Sequence, residues 1–228
     1  MSKAKSFVLA AAVAAMVFTL SCSADGGGGG GGGNGGGGGG GGSVAYEGKT
    51  YKTVVIGTQT WMAENLNYDV SGSKCYDNDP ANCDKYGRLY DWATAMALLP
   101  SCNDNSCSSQ IQSKHRGICP SGWHIPSGDD WDVLMEAVGG YETAGWYLKA
   151  TSGWYDNGNG TDQFGFSALP GGYGSSVGSF SNVGDFGCWW SSASDYYAYY
   201  REMNYGNEYA HWYGDGKSYL FSVRCLQD

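Results

Sequence analysis

The chain is short of charge, and short of positive charge most of all. Charged residues make up 15% of its 228 residues, with 13 Lys and Arg against 22 Asp and Glu. Without Lys3 and Lys5, which belong to a leader described below, 11 basic residues face the same 22 acids. Nucleic acids and anionic lipid headgroups reward basic patches, so this balance excludes both as expected partners. Histidine is scarce too, at three residues. His115, His124 and His211 lack ligand spacing to one another and no C-x2-C pair exists, which argues against zinc. There is no G-x-S-x-G nucleophile turn, no glycine loop followed by Lys-Ser/Thr, and no internal repeat. Paired carboxylates for glycoside cleavage stand in no motif. No catalytic constellation is visible, and the expectation is a protein that is not an enzyme.

What is present begins with residues 1–43. Lys3 and Lys5 precede an apolar run from Phe7 to Leu20, ending in Leu20-Ser21-Cys22. A positive start, a short apolar stretch and small residues describe a secretory signal peptide over 1–21 rather than a membrane span. A cysteine directly after the small residue adds the bacterial lipoprotein reading, with cleavage before Cys22 and lipid on it. Thr19 stands where an aliphatic residue is usual, and the alternative is ordinary cleavage with Cys22 as a spare thiol. Sixteen glycines broken by Asn34 follow. Residues 22–44 therefore read as a lipidated cysteine and a flexible tether, reaching on the order of 25 Å. The expected location is outside the cytoplasm, anchored by lipid to the bacterial outer membrane at the cell surface, with the membrane as a partner through that anchor.

Residues 45–228 suit one domain of ordinary size. Seven cysteines remain after Cys22, as an oxidising compartment allows. Cys75 with Cys83 and Cys102 with Cys107 would close small polar loops. Cys119 with Cys225 would close a long one, leaving Cys188 as a buried thiol. Spacing alone does not fix this connectivity.

Tyr51–Ile56 and Gln59–Met62 read as a hairpin around Gly57, and Asp91–Leu99 as a helix closed by Pro100. The clearest helix is Gly128–Val138. Ser127 is its N-cap, Asp130 completes a capping box, and Trp131, Leu134, Met135 and Val138 form an apolar stripe. Thr143–Ala150 reads as a short second helix. Strands are expected at Phe164–Leu169, Cys188–Ala193, Tyr196–Tyr205 and Tyr219–Leu226, the last a central one. Helices early and irregular strands late give an α+β class.

Two stretches suggest binding. Asp156, Asn157, Asn159 and Asp162 place hard oxygen ligands around glycines, a candidate calcium loop without the distal Glu of an EF-hand. A plain turn-rich loop is the other reading. Aromatic residues form 15% of the chain, with 18 Tyr and nine Trp. Tyr197, Tyr199, His211, Trp212 and Tyr213 are candidates to contact a ligand by stacking on sugar rings. Core packing of an antiparallel sheet is the alternative.

The motifs carry a resemblance. Gln59-x-Trp61-Met62-Ala63-Glu64-Asn65-Leu66-Asn67-Tyr68, Gly87-Arg88-Leu89-Tyr90-x-Trp92 and Cys119-Pro120-x-Gly122-Trp123-His124-x-Pro126-Ser127 occur in order. Gly165-Phe166-Ser167-Ala168-Leu169-Pro170-Gly171-Gly172, Trp189-Trp190-Ser191-Ser192 and Ser222-Val223-Arg224-Cys225 follow. Together they resemble the Fibrobacter succinogenes major paralogous domain family over about residues 46–228. That resemblance implies an exported protein, often a lipoprotein, and no known activity. Trp123–Trp131 and the ending Ser222–Cys225 are more loosely similar to formylglycine-generating enzymes. This implies a loop-rich C-type-lectin-like domain, with two or three helices, a small mostly antiparallel sheet and disulfide bracing. The paired cysteines of those enzymes are missing after Gly171-Gly172, so their activity is not implied.

The leading functional expectation is a surface-tethered, non-enzymatic adhesion module with a polysaccharide ligand. The alternatives are a structural cell-envelope protein that contacts other envelope proteins and, third, an enzyme with an unrecognised site.

Overall fold

In the computed structural model, residues 41–228 are described; the expected signal peptide over 1–21, the expected lipidation site Cys22 and nearly all of the expected glycine tether lie outside them. Tyr51 to Met62 forms the expected hairpin. Strand β2 (Lys49–Ile56) pairs antiparallel with β3 (Gln59–Met62), and Gly57 turns the chain at φ 59°. The domain starts earlier than position 45. Strand β1 (Ser43–Tyr46) pairs with β2, and the Gly42 carbonyl accepts from Thr53 N–H at 2.9 Å. Gly42 is therefore tied to the edge of the sheet just before β1, through both the Thr53 backbone N–H and its side-chain hydroxyl.

Helix α1 (Pro80–Tyr86) begins inside the Cys75–Cys83 loop and runs three residues past it, with Pro80 opening it and Asp79 capping it through Ala81 N–H. Strand β4 (Leu89–Tyr90) leads into α2 (Trp92–Ala95), capped by the Asp91 side chain. The helix expected over 91–99 stops at one turn. Ile118 N–H takes the Ala95 carbonyl, and a side chain at Gly117 would collide with that same carbonyl. The loop thus displaces the helical bond that Leu99 would have made.

Strand β5 (Trp123–His124) precedes α3 (Gly128–Ala137), where both arms of the Ser127–Asp130 capping box form. Its stripe of Trp131, Leu134, Met135 and Val138 is buried, as periodicity requires. Helix α4 (Tyr141–Leu148) begins two residues before the expected start, at the turn made by Gly139 and Gly140.

Short strands β6 (Tyr173–Gly174) and β7 (Phe180–Ser181) form a small hairpin. Strand β8 (Phe186–Ser194) and β9 (Ala198–Asn204) pair antiparallel with an irregularity after Trp190, and β10 (His211–Asp215) pairs with β9. Phe164–Leu169 is not a strand. Its Ala168 makes only an isolated bridge to Lys149, while Phe166 drops into the core.

The expected last strand is split. Strand β11 (Phe221–Ser222) sits between β8 and β4 in one sheet, ordered β10-β9-β8-β11-β4. Strand β12 (Leu226–Gln227) sits between β3 and β5 in the other, ordered β1-β2-β3-β12-β5. Val223–Cys225 carry the chain from one sheet to the other. Pairing is antiparallel apart from β11 on β8 and isolated bridges. The class is α+β, loop-rich and braced by Cys75–Cys83, Cys102–Cys107 and Cys119–Cys225. Among the described residues no helix is long and apolar enough to cross a membrane.

Candidate functional site

The distinctive sequence blocks meet at one buried point. Arg224 is 0% exposed. Its Nε and Nη2 donate to Asn65 Oδ1 at 3.2 and 2.7 Å, and Nη1 donates to the Phe166 carbonyl. Trp189 Nε1 donates to the same Asn65 oxygen at 2.8 Å, and Asn65 Nδ2 donates to the Tyr86 carbonyl at 2.8 Å. The guanidinium lies 4.1 Å from the Phe166 ring centroid. Burial lowers the Arg224 pKa to about 9, which still leaves it charged at neutral pH. Gly87, at φ 78°, must be glycine because a Cβ there would lie 2.7 Å from Asn65 Cβ. This hub is closed to solvent and joins five blocks of sequence. It is structural.

His124 is also buried, as expected of a hydrogen-bonded structural histidine. Its Nδ1 lies 2.8 Å from Asp228 Oδ1 and its Nε2 lies 3.3 Å from Asp130 Oδ2. Burial works against the imidazolium, but the bonds to Asp130 and Asp228 outweigh it and the pKa is raised. Asp130 falls to about 2; burial opposes that shift, and bonds from His124 and Ser127 overcome it. The Ser127 hydroxyl donates to Asp130 at 2.6 Å, not to His124, so no serine nucleophile is assembled.

The open site lies elsewhere, between α3 and β10. Gly128, Asp129, Asp132, Met135 and Glu136 form one wall of a groove of about 790 Å³; Tyr141, Arg201, Ala210, His211 and Trp212 contribute the rest. Cross-strand register explains the aromatic wall. Trp212 opposes Arg201 on β9, and the guanidinium carbon lies 4.8 Å from the Trp212 ring centroid. Tyr199, two residues from Arg201 and so on the same face, stacks parallel to Trp212 at 5.6 Å and donates to Asp195 at 2.9 Å. Arg201 is 3% exposed. Its Nη2 donates to Asp132 at 2.9 Å and Nη1 to the Ala210 carbonyl at 3.3 Å, while Nε has no partner.

The five aromatic candidates are distributed over both faces of the sheet and a turn. Tyr213 opposes Tyr200 and His211 opposes Glu202, so these two project from the side opposite Tyr199 and Trp212. There Tyr209, His211 and Tyr213 stack in a row at 5.2 and 5.4 Å. Stacking covers both faces of His211 and one face each of Tyr209 and Tyr213. Tyr197 is half exposed at a turn, edge-on to Tyr196. Trp212 and His211 line the groove, whereas Tyr197, Tyr199 and Tyr213 do not. Burial lowers the His211 pKa, so its ring is neutral at pH 7.

The oxygen-rich loop is occupied by its own chain. Asn159 Oδ1 accepts from Trp154 N–H at 3.1 Å, and both Asp162 carboxylate oxygens accept from Ser167. Asp156 and Asn157 lie in a tight turn at φ 45° and 59°. The geometry is the turn-rich loop of the alternative reading. Among the described residues no three His, Cys, Asp or Glu are grouped to hold a metal ion.

Six cysteines pair as their sequence neighbourhoods suggest, and Cys188 is buried and free. Burial raises its pKa well above the ordinary value, which keeps it a protonated, unreactive thiol.

Sequence reasoning missed Asp129, Asp132, Glu136, Tyr141 and Arg201. A signal existed: the three acids recur at i, i+3 and i+7 on α3, one stripe beside the apolar one. The identity of Arg201 as its partner depends on strand register, which the local sequence does not reveal.

Comparison with known proteins gives one match. The family model of the Fibrobacter succinogenes major domain covers residues 54–227. No curated protein and no solved structure matches the chain.

Proposed function

The chain belongs to the Fibrobacter succinogenes major domain family, and on that footing we propose that it is a non-enzymatic binding module whose α3–β10 groove takes a polysaccharide. A lipid on Cys22 holds it at the cell surface, and the glycine tether lets the domain reorient. We read the finer fold as C-type-lectin-like. The groove carries the proposal: an aromatic ring, apolar Met135 and Ala210, and several carboxylates line one open cleft. Carboxylates accept from sugar hydroxyls, and a ring edge or face packs on their apolar side. Two further features favour a structural over a catalytic use of the buried polar groups. The family blocks converge on the buried hub, and both His124 nitrogens are held by carboxylates.

The test is retention of the purified full-length protein on insoluble cellulose, chitin and other glycans, with and without Ca²⁺. Trp212→Ala and Tyr141→Ala are expected to release it without lowering its melting temperature by more than a few degrees. Retention that both variants leave unchanged overturns the groove as the site. No retention on any glycan overturns the polysaccharide reading in favour of an envelope-protein contact.

A further inference from the structure

The face of the sheet opposite Trp212 holds a second recess. Cys188 opposes Glu202 across β8 and β9, and Tyr200 and Asp215 share their face by alternation. Together with Phe221 of β11 they line a cavity of about 150 Å³, and Tyr173, Phe186 and Tyr219 complete its wall. Five aromatic rings and two carboxylates therefore surround one small space. Its charge is one-sided. Among the described residues no Lys, Arg or His lines it, neither carboxylate is in a salt bridge, and no cation stands over any of the five rings. His211 opposes Glu202 from β10, but its ring is neutral at pH 7. Asp215 keeps one local bond, accepting from Gly216 N–H at 2.7 Å. Burial raises the Glu202 pKa against an opposing bond with Asn204, so the fold carries a partly desolvated carboxylate with no cation beside it. A further sign is independent of the acids. Tyr200 is 8% exposed and lines the cavity, yet its hydroxyl has no hydrogen-bond partner among the described residues. Elsewhere the chain sets its own cations on buried rings: Lys149 stands over Trp154 and Lys217 over Trp92.

We propose that this recess is an aromatic cage that binds a quaternary ammonium head group, of the trimethylammonium type. Ring quadrupoles attract a cation placed among them, and the effect grows where water is excluded. Glu202 and Asp215 supply the compensating charge. A phenol is acceptor as well as donor, so the free Tyr200 hydroxyl can turn its oxygen toward a cation. The rings select against a primary ammonium. That group is strongly hydrated and needs acceptors for three N–H bonds, which aromatic carbon does not provide. N-methyl groups need none and pack against the rings. The volume lies below the roughly 300 Å³ at which pockets for drug-sized ligands begin, which suits a head group and not a chain of sugar units. The cage is therefore separate from the α3–β10 groove and does not depend on the polysaccharide reading.

The experiment titrates the purified full-length protein into tetramethylammonium, choline and a trimethyllysine peptide, and follows the N-methyl proton resonance by NMR. Rings around the methyl groups move that resonance upfield. A saturable upfield shift is expected at constant ionic strength, with ammonium chloride a poor competitor and the neutral isostere tert-butanol binding at least about tenfold more weakly. Tighter binding of choline than of the peptide assigns the head group to a small molecule, and the reverse assigns it to a methylated protein; both uphold the cage. Glu202→Gln should weaken binding about 3- to 10-fold. It removes an uncompensated charge without changing shape, so the melting temperature should hold or rise. Tyr219→Leu takes away one wall ring and should weaken binding to a similar extent, which keeps the test independent of the carboxylates. Absence of a saturable shift overturns the proposal. So does tert-butanol binding as tightly as tetramethylammonium, which would make the recess merely apolar. Ammonium competing as well as tetramethylammonium, or full binding by both folded variants, overturns it too. None of these readouts involves glycan retention, so failure here leaves the groove reading untouched.

Discussion

Two arginines are buried almost completely in this domain, and their surroundings differ. Arg224 is satisfied by neutral groups, the Asn65 amide oxygen and backbone carbonyls, and is wrapped by Phe166 and Trp189. Arg201 has a carboxylate partner on the solvent side, an aromatic ring over its face and one N–H with no partner. The first is a closed structural hub that joins distant segments. The second floors an open groove whose acids exceed what it can neutralise. In this molecule the stability-determining polar group and the candidate ligand-facing one are separate, so either can be changed without disturbing the other.

The largest test of that separation lies next to the hub. The Cys119–Cys225 bridge closes a loop of sequence separation 106. Replacing both cysteines with serine is expected to cost about 4–5 kcal/mol by the chain-entropy estimate, read by denaturant titration under oxidising conditions. Breaking Cys102–Cys107 should cost less than half as much, because its separation is 5. Equal losses would mean that the long bridge does not act through the unfolded chain.

Asn65→Ala comes next. It strands the Arg224 charge, so a loss of about 3–4 kcal/mol is expected. Chemical denaturation should show that loss, and a change below about 1 kcal/mol would remove the hub from the centre of the argument.

The histidine latch gives a smaller, pH-dependent effect. The folded His124 pKa is raised, so its contribution is present below its ordinary value of 6.5 and fades as pH rises through the folded value. Asp130 runs the other way, contributing above 3.8 and losing that contribution as pH falls towards about 2. Melting curves should therefore show the latch strongest between about pH 4 and 6.5. His124→Gln should flatten the alkaline fall; an unchanged profile would show that other groups cause it.

Groove variants should matter least to folding. Asp129→Asn and Glu136→Gln lie on the exposed side of α3 and are expected to shift stability by no more than about 0.5 kcal/mol, with Glu136→Gln the more favourable. A loss comparable to that of Asn65→Ala would erase the distinction between hub and groove.

How much of this was legible depends on the range of each interaction. The α3 helix was readable because Ser127, Asp130 and the Trp131–Val138 stripe act within three turns. The Gly57 hairpin was readable for the same reason. The helix over 91–99 failed because Ile118, far along the chain, takes the carbonyl that would have continued it. The last strand read correctly as apolar and central, but its division between two sheets follows from where β3, β5, β4 and β8 already lie. Which aromatic residues share a face was not legible, because it depends on alternation across β9 and β10: Trp212 and Tyr213 are neighbours in sequence and lie on opposite sides of the sheet. The sequence blocks gave the family and pointed to the hub, whereas the groove is built from residues between the blocks.

The division of the final segment sets an order of events. Phe221–Gln227 supplies an interior strand to each sheet, Arg224 to the hub and Cys225 to the longest bridge. A chain emerging N-terminus first can form its early hairpin and α3, but neither sheet closes until this segment arrives. Assembly is therefore gated by the arrival of Phe221–Gln227. Until then Trp61, Phe166 and Trp189 have no finished core to enter.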